Sequence, residues 1–368
     1  MSDTVRCFFT MEKLVKPATF SDQYKRDNDG KTIIEVPEVY ELMNVIFALT
    51  EYGKSGAIEK ETTYYNAVVN HFSEHAKHAA VQLADSLLKV SPGYFYLHLK
   101  MDSYAYIFSD NNIVNGGIYN RIATGDRNEL EPYIPMLENF AVKSGFRKFY
   151  DANKEYYTSL RSQLRDQVDI AKMKTWLEEQ FPSTKYSVLK LIFSPLVGWN
   201  QSAAFLSDNE FTEAQAHINF PFIKAADKQL PEEVLRGKRM LIAFTEINHA
   251  YLNPEAEKYR KLIDSVFRNL SEWNTSGKPS AGYDEPLICF EEYMNYALVT
   301  LYYSEILDKK AFETLTRTIE NNMVEFRGFQ RFKEFNQQLL LLYRQKKAEQ
   351  TVSDLYLPII NWASRQVF

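Results

Sequence analysis

The chain has 368 residues, of which 45% are hydrophobic and 25% are charged, the composition of an ordinary globular protein. Its 43 Lys and Arg against 48 Asp and Glu give a net charge of −5 with no long basic run, so nucleic-acid binding has no electrostatic support. No run of about 18 apolar residues is present, and a transmembrane segment is therefore not predicted. Because no signal peptide is visible at the N-terminus, we expect either a cytoplasmic protein or a mature secreted or periplasmic form.

The first half of the chain is predicted to be mainly helical. These assignments rest on apolar residues that recur every three to four positions, as on the buried face of a helix. A short strand is expected at 32–36, followed by helices at about 37–52, 61–74, 79–90, 97–108 and 135–141 and by a long helical tract at about 146–181. We expect residues 37–181 to form a helical N-terminal part.

The end of the second predicted helix contains a possible metal-binding motif. His71-Phe72-Ser73-Glu74-His75 spells H-x-x-E-H, the inverted form of a zinc-peptidase motif. A match of five residues arises readily by chance in a polar helix end, and no acidic ligand downstream accompanies this one. Histidine is also favoured near a helix C-terminus by the helix dipole. His71, Glu74 and His75 are therefore the weaker candidates for a metal site.

The second half of the chain is predicted to combine a small sheet with long helices. Strands are expected at 186–193 and 215–221, and a central helix is expected at 232–252, where Asn253-Pro254 would end it. Further helices are expected at about 256–273, 290–308, 311–347 and 355–367. No repeat and no Gly-, Ser- or Pro-rich linker interrupts the chain, so we predict one integrated domain over 1–368, of the α+β class and predominantly α-helical.

The central helix carries the pattern Thr245-Glu246-Ile247-Asn248-His249. A helix places residues 245 and 249 on one face with Glu246 beside them. Zinc peptidases use this geometry in H-E-x-x-H, where two His hold the metal and the Glu is the general base that takes a proton from the metal-bound water. Here Thr245 stands at the first His position. Downstream, the predicted helix at 290–308 offers Glu292 as an acidic third ligand.

These two stretches resemble a known family. Phe244 to Pro254, together with Phe290-Glu291-Glu292-Tyr293-Met294, is similar to an uncharacterised bacterial domain family related to gluzincin-like metallopeptidases. The resemblance implies a zincin-like part at about 182–368, with the small sheet preceding the active-site-type helix. It also implies Glu246 as catalytic base, His249 and Glu292 as zinc ligands, and a peptide or protein substrate.

Two departures from the family pattern bear on the zinc site. Thr245 replaces the first His, and a hydroxyl is a poor zinc ligand compared with imidazole, so His249 and Glu292 alone should bind the metal weakly. His217, on the strand before the helix, is the nearest further His in the sequence that could complete the shell. Glu291 replaces the Asn that precedes the acidic ligand in the more peptidase-like relatives.

Three functions remain open at this point. The first is a zinc-dependent hydrolase of peptide bonds, and the second is an inactive relative that keeps the cleft to bind a peptide or another polymer. The third is a helical scaffold or interaction protein. Purely structural interpretations also exist for each residue: Thr245 could bond back to a helix carbonyl, His249 could pair with Glu292 in a buried network, and Glu246 could be a surface carboxylate.

Overall fold

The computed structural model describes residues 15–366. The prediction of a predominantly helical α+β chain with a small sheet is confirmed. The helices in the first half of the chain are α1 (Asp22–Asn28), α2 (Glu38–Ala48), α3 (Thr63–Phe72), α4 (Ala79–Val90), α5 (Pro92–Asp102), α6 (Ile134–Ser144), α7 (Phe146–Ala152), α8 (Lys154–Val168) and α9 (Ile170–Gln180). The helices in the second half are α10 (Glu232–Glu257), α11 (Arg260–Val266), α12 (Pro286–Ile306), α13 (Lys309–Asn321), α14 (Phe332–Gln345) and α15 (Tyr356–Ala363).

The strands form a four-stranded sheet and a separate hairpin. They are β1 (Thr32–Glu35), β2 (Tyr106–Ser109), β3 (Asn112–Asn115), β4 (Val188–Ser194), β5 (Ser202–Asp208) and β6 (Phe211–Asn219). The sheet order is β1-β4-β6-β5, with β1, β4 and β6 parallel and β5 antiparallel to β6 at one edge. The three strands predicted at 32–36, 186–193 and 215–221 are present as β1, β4 and β6. The edge strand β5 and the hairpin of β2 and β3 were not predicted.

The two faces of the sheet differ in chemistry, although both are buried. Leu191 of β4 and Ala214 and Ala216 of β6 lie on the apolar face, against which α10 packs. The alternate positions, Lys190 and His217 among them, lie on the opposite face, beneath aromatic residues of the N-terminal part. A buried polar face must find its hydrogen-bond partners inside the protein.

Lys190 is the centre of the network that satisfies this polar face. Its ammonium donates to the hydroxyls of Tyr104 at 2.9 Å and Tyr119 at 2.8 Å, and it lies 3.8 Å from a carboxylate oxygen of Glu213. Tyr119 in turn donates to Glu213 at 2.6 Å, and Tyr24 donates to the other oxygen of that carboxylate. The rings of Tyr24, Tyr104 and Tyr119 lie 5.2 to 5.4 Å from the ammonium. The network joins the N-terminal part to the sheet.

The helix α10 continues past Pro254 to Glu257, so the predicted end of the central helix at Asn253-Pro254 is wrong. Proline has no N–H, and its presence leaves the carbonyl four residues earlier, that of Ala250, without a helical donor. The hydroxyl of Tyr186 donates to this carbonyl at 2.8 Å. An acceptor that would otherwise be buried without a partner is thereby satisfied, and the helix need not stop.

Other predicted helices are shorter than expected. The tract at 146–181 is three helices, interrupted at Asn153 and at Asp169, whose φ of 50° is left-handed. The helix expected at 97–108 ends at Asp102, and the hairpin of β2 and β3 follows it. The helix expected at 311–347 is divided by a π-helical turn, Asn322–Arg327, and by Gly328. Within residues 15–366, no helix is long and apolar enough to cross a membrane.

Replacing Lys190 by Met should destabilise the fold severely, because it leaves the fully buried Glu213 carboxylate without its cation. We expect the free energy of unfolding in urea at pH 7 to fall by about 3 to 5 kcal/mol. The double variant Lys190→Met with Glu213→Gln removes both charges and should recover part of that loss. A loss below about 1 kcal/mol for the single variant would show that the pair does not hold the polar face together.

Candidate functional site: a cleft beside the sheet edge

A cleft of about 1060 Å³ opens between the edge strand β5, the helices α10 and α12, and the π-helical turn. The strand side is lined by residues 199–203 and by Phe205. The helix side is lined by Glu246, His249 and Asn253 of α10, by Ile288, Glu291, Glu292, Asn295 and Tyr296 of α12, and by Asn322, Phe326 and Arg327 of the turn. The cleft therefore contains the predicted base, the predicted ligands and several residues that were not predicted.

The helix α10 presents Glu246 and His249 to the cleft, whereas Thr245 points back to its own helix. The Thr245 hydroxyl donates to the carbonyl of Ile242 at 3.2 Å and lies 3.4 Å from a carboxylate oxygen of Glu246. The side-chain amide of Asn248 donates to the backbone carbonyl of Asn295 at 3.0 Å and so ties α10 to α12. Thr245 thus makes the backbone bond that its residue type favours inside a helix.

Both ring nitrogens of His249 are engaged by asparagines. The side-chain nitrogen of Asn295 lies 2.8 Å from Nε2, and the side-chain oxygen of Asn253 lies 3.0 Å from Nδ1. An amide nitrogen only donates and an amide oxygen only accepts, so in neutral His249 Nδ1 carries the proton and Nε2 accepts. The lone pair that a metal would need is therefore used by Asn295.

The Glu292 carboxylate is also fully engaged. Arg327 donates to Oε1 at 2.7 Å, and the hydroxyl of Tyr283 donates to the same oxygen at 3.0 Å. Asn295 donates to Oε2 at 3.2 Å, and His249 Nε2 lies 3.7 Å from Oε2. A carboxylate that is only 4% exposed needs such partners to remain ionised. Arg327 supplies the cation here.

Arg327 is held firmly at this position. A second donor of its guanidinium bonds the Tyr283 hydroxyl at 2.7 Å, and the group lies 4.7 Å from the ring of Tyr296 and 5.1 Å from that of Phe329. The π-helical turn that carries it ends at Gly328, whose φ is 87°. A Cβ at Gly328 would lie 2.7 Å from the Cβ of Lys278, so the turn needs glycine at this point.

The three carboxyl groups of the cleft differ in ionisation. Burial acts to raise the pKa of Glu292, but the Arg327 guanidinium and His249 together hold it below its ordinary value. For Glu246 and Glu291, burial raises the pKa to about 7 in each case. Within residues 15–366, neither of these two carboxylates forms an ion pair with a Lys or Arg. Glu246 and Glu291 therefore lack the direct ion-pair partner that Glu292 has in Arg327.

The side chains present do not fit a zinc site of the predicted kind. A catalytic zinc needs three protein ligands with free lone pairs and a fourth position for water. Thr245 is bonded to a backbone carbonyl, the Nε2 lone pair of His249 accepts from Asn295, and Glu292 is paired with Arg327. In residues 15–366 no group of three or more His, Cys, Asp or Glu is arranged to hold a metal ion.

The weaker metal candidates lie elsewhere. His217 is buried on the polar face of the sheet, opposite to α10, with Nε2 3.0 Å from the side-chain oxygen of Gln215, so it cannot complete a shell with His249. His71 contacts the carbonyl of Ser144 at 3.0 Å. Glu74 and His75 lie in a 3₁₀ turn after α3 and contact each other at 3.6 Å. Since the helix ends at Phe72, H-x-x-E-H does not present one helical face.

Sequence reasoning missed Asn295, Tyr283 and Arg327. The spacing Glu292-x-x-Asn295 places the two residues on one face of a helix and could have identified Asn295 as a neighbour of the carboxylate. No pattern in the sequence indicates Arg327, because it belongs to a π-helical turn in a tract whose periodicity predicts a regular helix. Glu291 does line the cleft, beside Glu292 on α12.

Comparisons of the chain with protein-family models, with curated proteins and with solved structures found no match. The resemblance to gluzincin-like metallopeptidases therefore stays a prediction from the residues at 244–254 and 290–294. The division into a helical part and a zincin-like part stays a prediction as well.

Restoring the first His alone should not restore a zinc site. Thr245→His leaves Asn295 on His249 and Arg327 on Glu292, whereas Thr245→His with Arg327→Met also frees Glu292. We expect the double variant to bind zinc at least about tenfold more tightly than Thr245→His, measured by calorimetric titration. The control is Thr245→His with Arg331→Met, because Arg331 pairs with Glu272 outside the cleft. Equal affinities in all three variants would show that Arg327 does not compete for Glu292.

The raised pKa of Glu246 should make stability depend on pH. A folded-state pKa of about 7 against the ordinary 4.5 means that the folded protein binds the proton more tightly, so this group lowers stability as pH rises from 4.5 to 7. Glu246→Gln removes the penalty. We expect its gain in unfolding free energy to be greater at pH 8 than at pH 5 by at least about 1 kcal/mol. Glu257→Gln, at an exposed carboxylate of the same helix, should show no such gain. An effect of Glu246→Gln that does not change with pH would contradict the raised pKa of Glu246.

Proposed function

We propose that this protein is a metal-free relative of zincin-like peptidases that uses the cleft to bind an extended peptide segment of a partner protein. The observation that supports this proposal most strongly is the ion pair of Arg327 with Glu292. The guanidinium neutralises the carboxylate that zinc would otherwise require, while the cleft beside it keeps a volume of about 1060 Å³. That volume lies at the upper end of the range for small-molecule sites and suits a longer ligand.

The edge strand β5 supports a peptide as the ligand. Within the described residues, β5 pairs with β6 on one side only, and Ser202, Ala203 and Phe205 of this strand line the cleft. A strand with one unpaired edge offers a row of backbone donors and acceptors to which an extended chain can add as a further strand. Main-chain hydrogen bonds of this kind give affinity with little dependence on the ligand's sequence.

The walls of the cleft support an apolar contact with the ligand's side chains. Four large hydrophobic residues of the lining are exposed: Trp199 at 46%, Phe205 at 40%, Ile288 at 40% and Phe326 at 69%. Trp199 and Phe205 belong to the strand side, and Ile288 and Phe326 to the helix side. Apolar groups on opposite walls of one cleft are typical of a site that packs around a partner.

A zinc-dependent peptidase is the second candidate. It is favoured by the convergence of Glu246, His249 and Glu292 on one cleft, with Glu292 3.7 Å from His249. The lone pair of His249 and the charge of Glu292 are, however, already satisfied by Asn295 and Arg327. The first candidate requires no rearrangement of these contacts and is therefore preferred.

Peptide binding can be tested with a displayed library of random dodecapeptides selected on the full chain. At saturation with a synthesised selected peptide, amide hydrogen exchange in Ser202–Asp208 should slow by at least about tenfold, because a new strand protects the β5 edge. Thr32–Glu35 at the opposite edge of the sheet is the internal control and should be unchanged. The selected peptide should also remain uncleaved, with and without added zinc.

The variant Phe326→Ala should weaken binding of the selected peptide by at least about fivefold in a calorimetric titration, because it removes an apolar contact of the cleft. Leu341→Ala is the matched control, since Leu341 is 45% exposed on α14 and is not part of the cleft lining. Equal losses in both variants, or zinc-dependent cleavage of the peptide, would contradict the proposed function.

A further inference from the structure

The cleft carries an excess of negative charge at its centre. Glu246, Glu291 and Glu292 line it, and Arg327, the cationic side chain of the lining, is paired with Glu292. Glu291 is only 9% exposed, yet within residues 15–366 its side chain makes no hydrogen bond or ion pair. Glu246 contacts only the Thr245 hydroxyl, at 3.4 Å. Lys100 acts on Glu246 and Arg260 acts on Glu291 only through longer-range electrostatic attraction, and within the described residues neither carboxylate has a Lys or Arg as a direct ion-pair partner.

A carboxylate that is shielded from water and has no ion-pair partner is costly to keep ionised. This applies to Glu291, which is buried, and to Glu246, which is half-buried and lines the same cleft. A cation entering the cleft would reverse this cost, because it would stabilise the ionised carboxylates in a region of low dielectric. The exposed Trp199, Phe205 and Phe326 on the surrounding walls suit apolar groups on either side of that cation.

We propose that the preferred ligand is an extended peptide segment with a lysine or arginine and with large apolar residues two positions before and after it, on the same face of the added strand. The cationic group of this segment is bound by Glu246 and Glu291. This inference rests on the proposed function, and it adds the chemical class of the partner. The apolar flanks pack against the aromatic walls, and the backbone adds to β5. A segment with an acidic residue at the same position is repelled by the two carboxylates.

The test uses three acetylated and amidated peptides, Thr-Phe-Thr-X-Thr-Phe-Thr, in which X is Lys, Gln or Glu and the two Phe lie on the same face of the strand as X. Calorimetric titration of the full chain at pH 8, where the carboxylates are ionised, gives the dissociation constant of each peptide. The Lys peptide should bind at least about tenfold more tightly than the Gln peptide, and the Glu peptide most weakly. The preference for Lys should diminish at higher salt, because screening weakens the contact.

Variants assign the preference to the two carboxylates. Glu291→Gln and Glu246→Gln should each lower the ratio of Gln-peptide to Lys-peptide dissociation constants by at least about threefold, and the double variant should bring it close to one. Both substitutions preserve side-chain shape, and thermal melting verifies that the variants fold. Glu313→Gln, at an exposed carboxylate of α13 outside the cleft, should leave the ratio unchanged.

The outcomes separate the two proposals. Equal binding of all three peptides, with slowed exchange in Ser202–Asp208, would overturn the preference for a cation and leave peptide binding intact. No binding of any of the three, together with no peptide selected from the random library, would overturn both. A Lys preference that survives the Glu246→Gln and Glu291→Gln double variant would overturn the assignment of these two residues.

Discussion

Charge compensation of Glu292 is the constraint on which the candidate site depends. The carboxylate is buried on a helix most of whose other side chains are also buried, so it requires a cation within contact distance. In the zincin-like arrangement that the sequence resembles, a metal ion would fill this requirement. In this protein the cation is the planar guanidinium of Arg327, which also donates a hydrogen bond to the Tyr283 hydroxyl. A threonine at position 245 is then compatible with a stable fold, because the ion pair of Arg327 with Glu292 compensates the buried carboxylate without a metal.

The elements that could be predicted from the sequence are those marked by a pattern of neighbouring residues. The apolar run of β4 and the 3.6-residue periodicity of the helices identified most of the fold, and the spacing of Glu246, His249 and Glu292 identified three residues of the cleft. The strand β5 escaped notice because Ser202-Ala203-Ala204 lacks residues with a strong preference for strands. The end of α10 was mispredicted because Tyr186, far away in the chain, satisfies the carbonyl that Pro254 frees. Arg327 reaches Glu292 through a tertiary contact, which no local pattern encodes.

The two faces of the main sheet have different structural roles. The apolar face packs against α10 and so fixes the height and rotation of the helix that presents Glu246 and His249 to the cleft. The opposite face buries Lys190, Glu213 and their tyrosine partners against the N-terminal part. One hydrophobic cluster includes residues from Ala18 to Ala363. The position of the cleft therefore depends on packing contributed by both halves of the chain.

The parallel pairing of β1 with β4 has a consequence for how the protein is made. Thr32 lies opposite Leu189, so the first strand leaves the ribosome well before the strand that it must join. Until β4 emerges, Ile33 and Ile34 have no sheet partner, and closure of so long a loop is an entropic cost that local helices do not bear. We expect the helices between the two strands to form early during synthesis and the sheet to assemble late. Nascent chains that stall before β4 would then expose an unpaired strand and become substrates for chaperones.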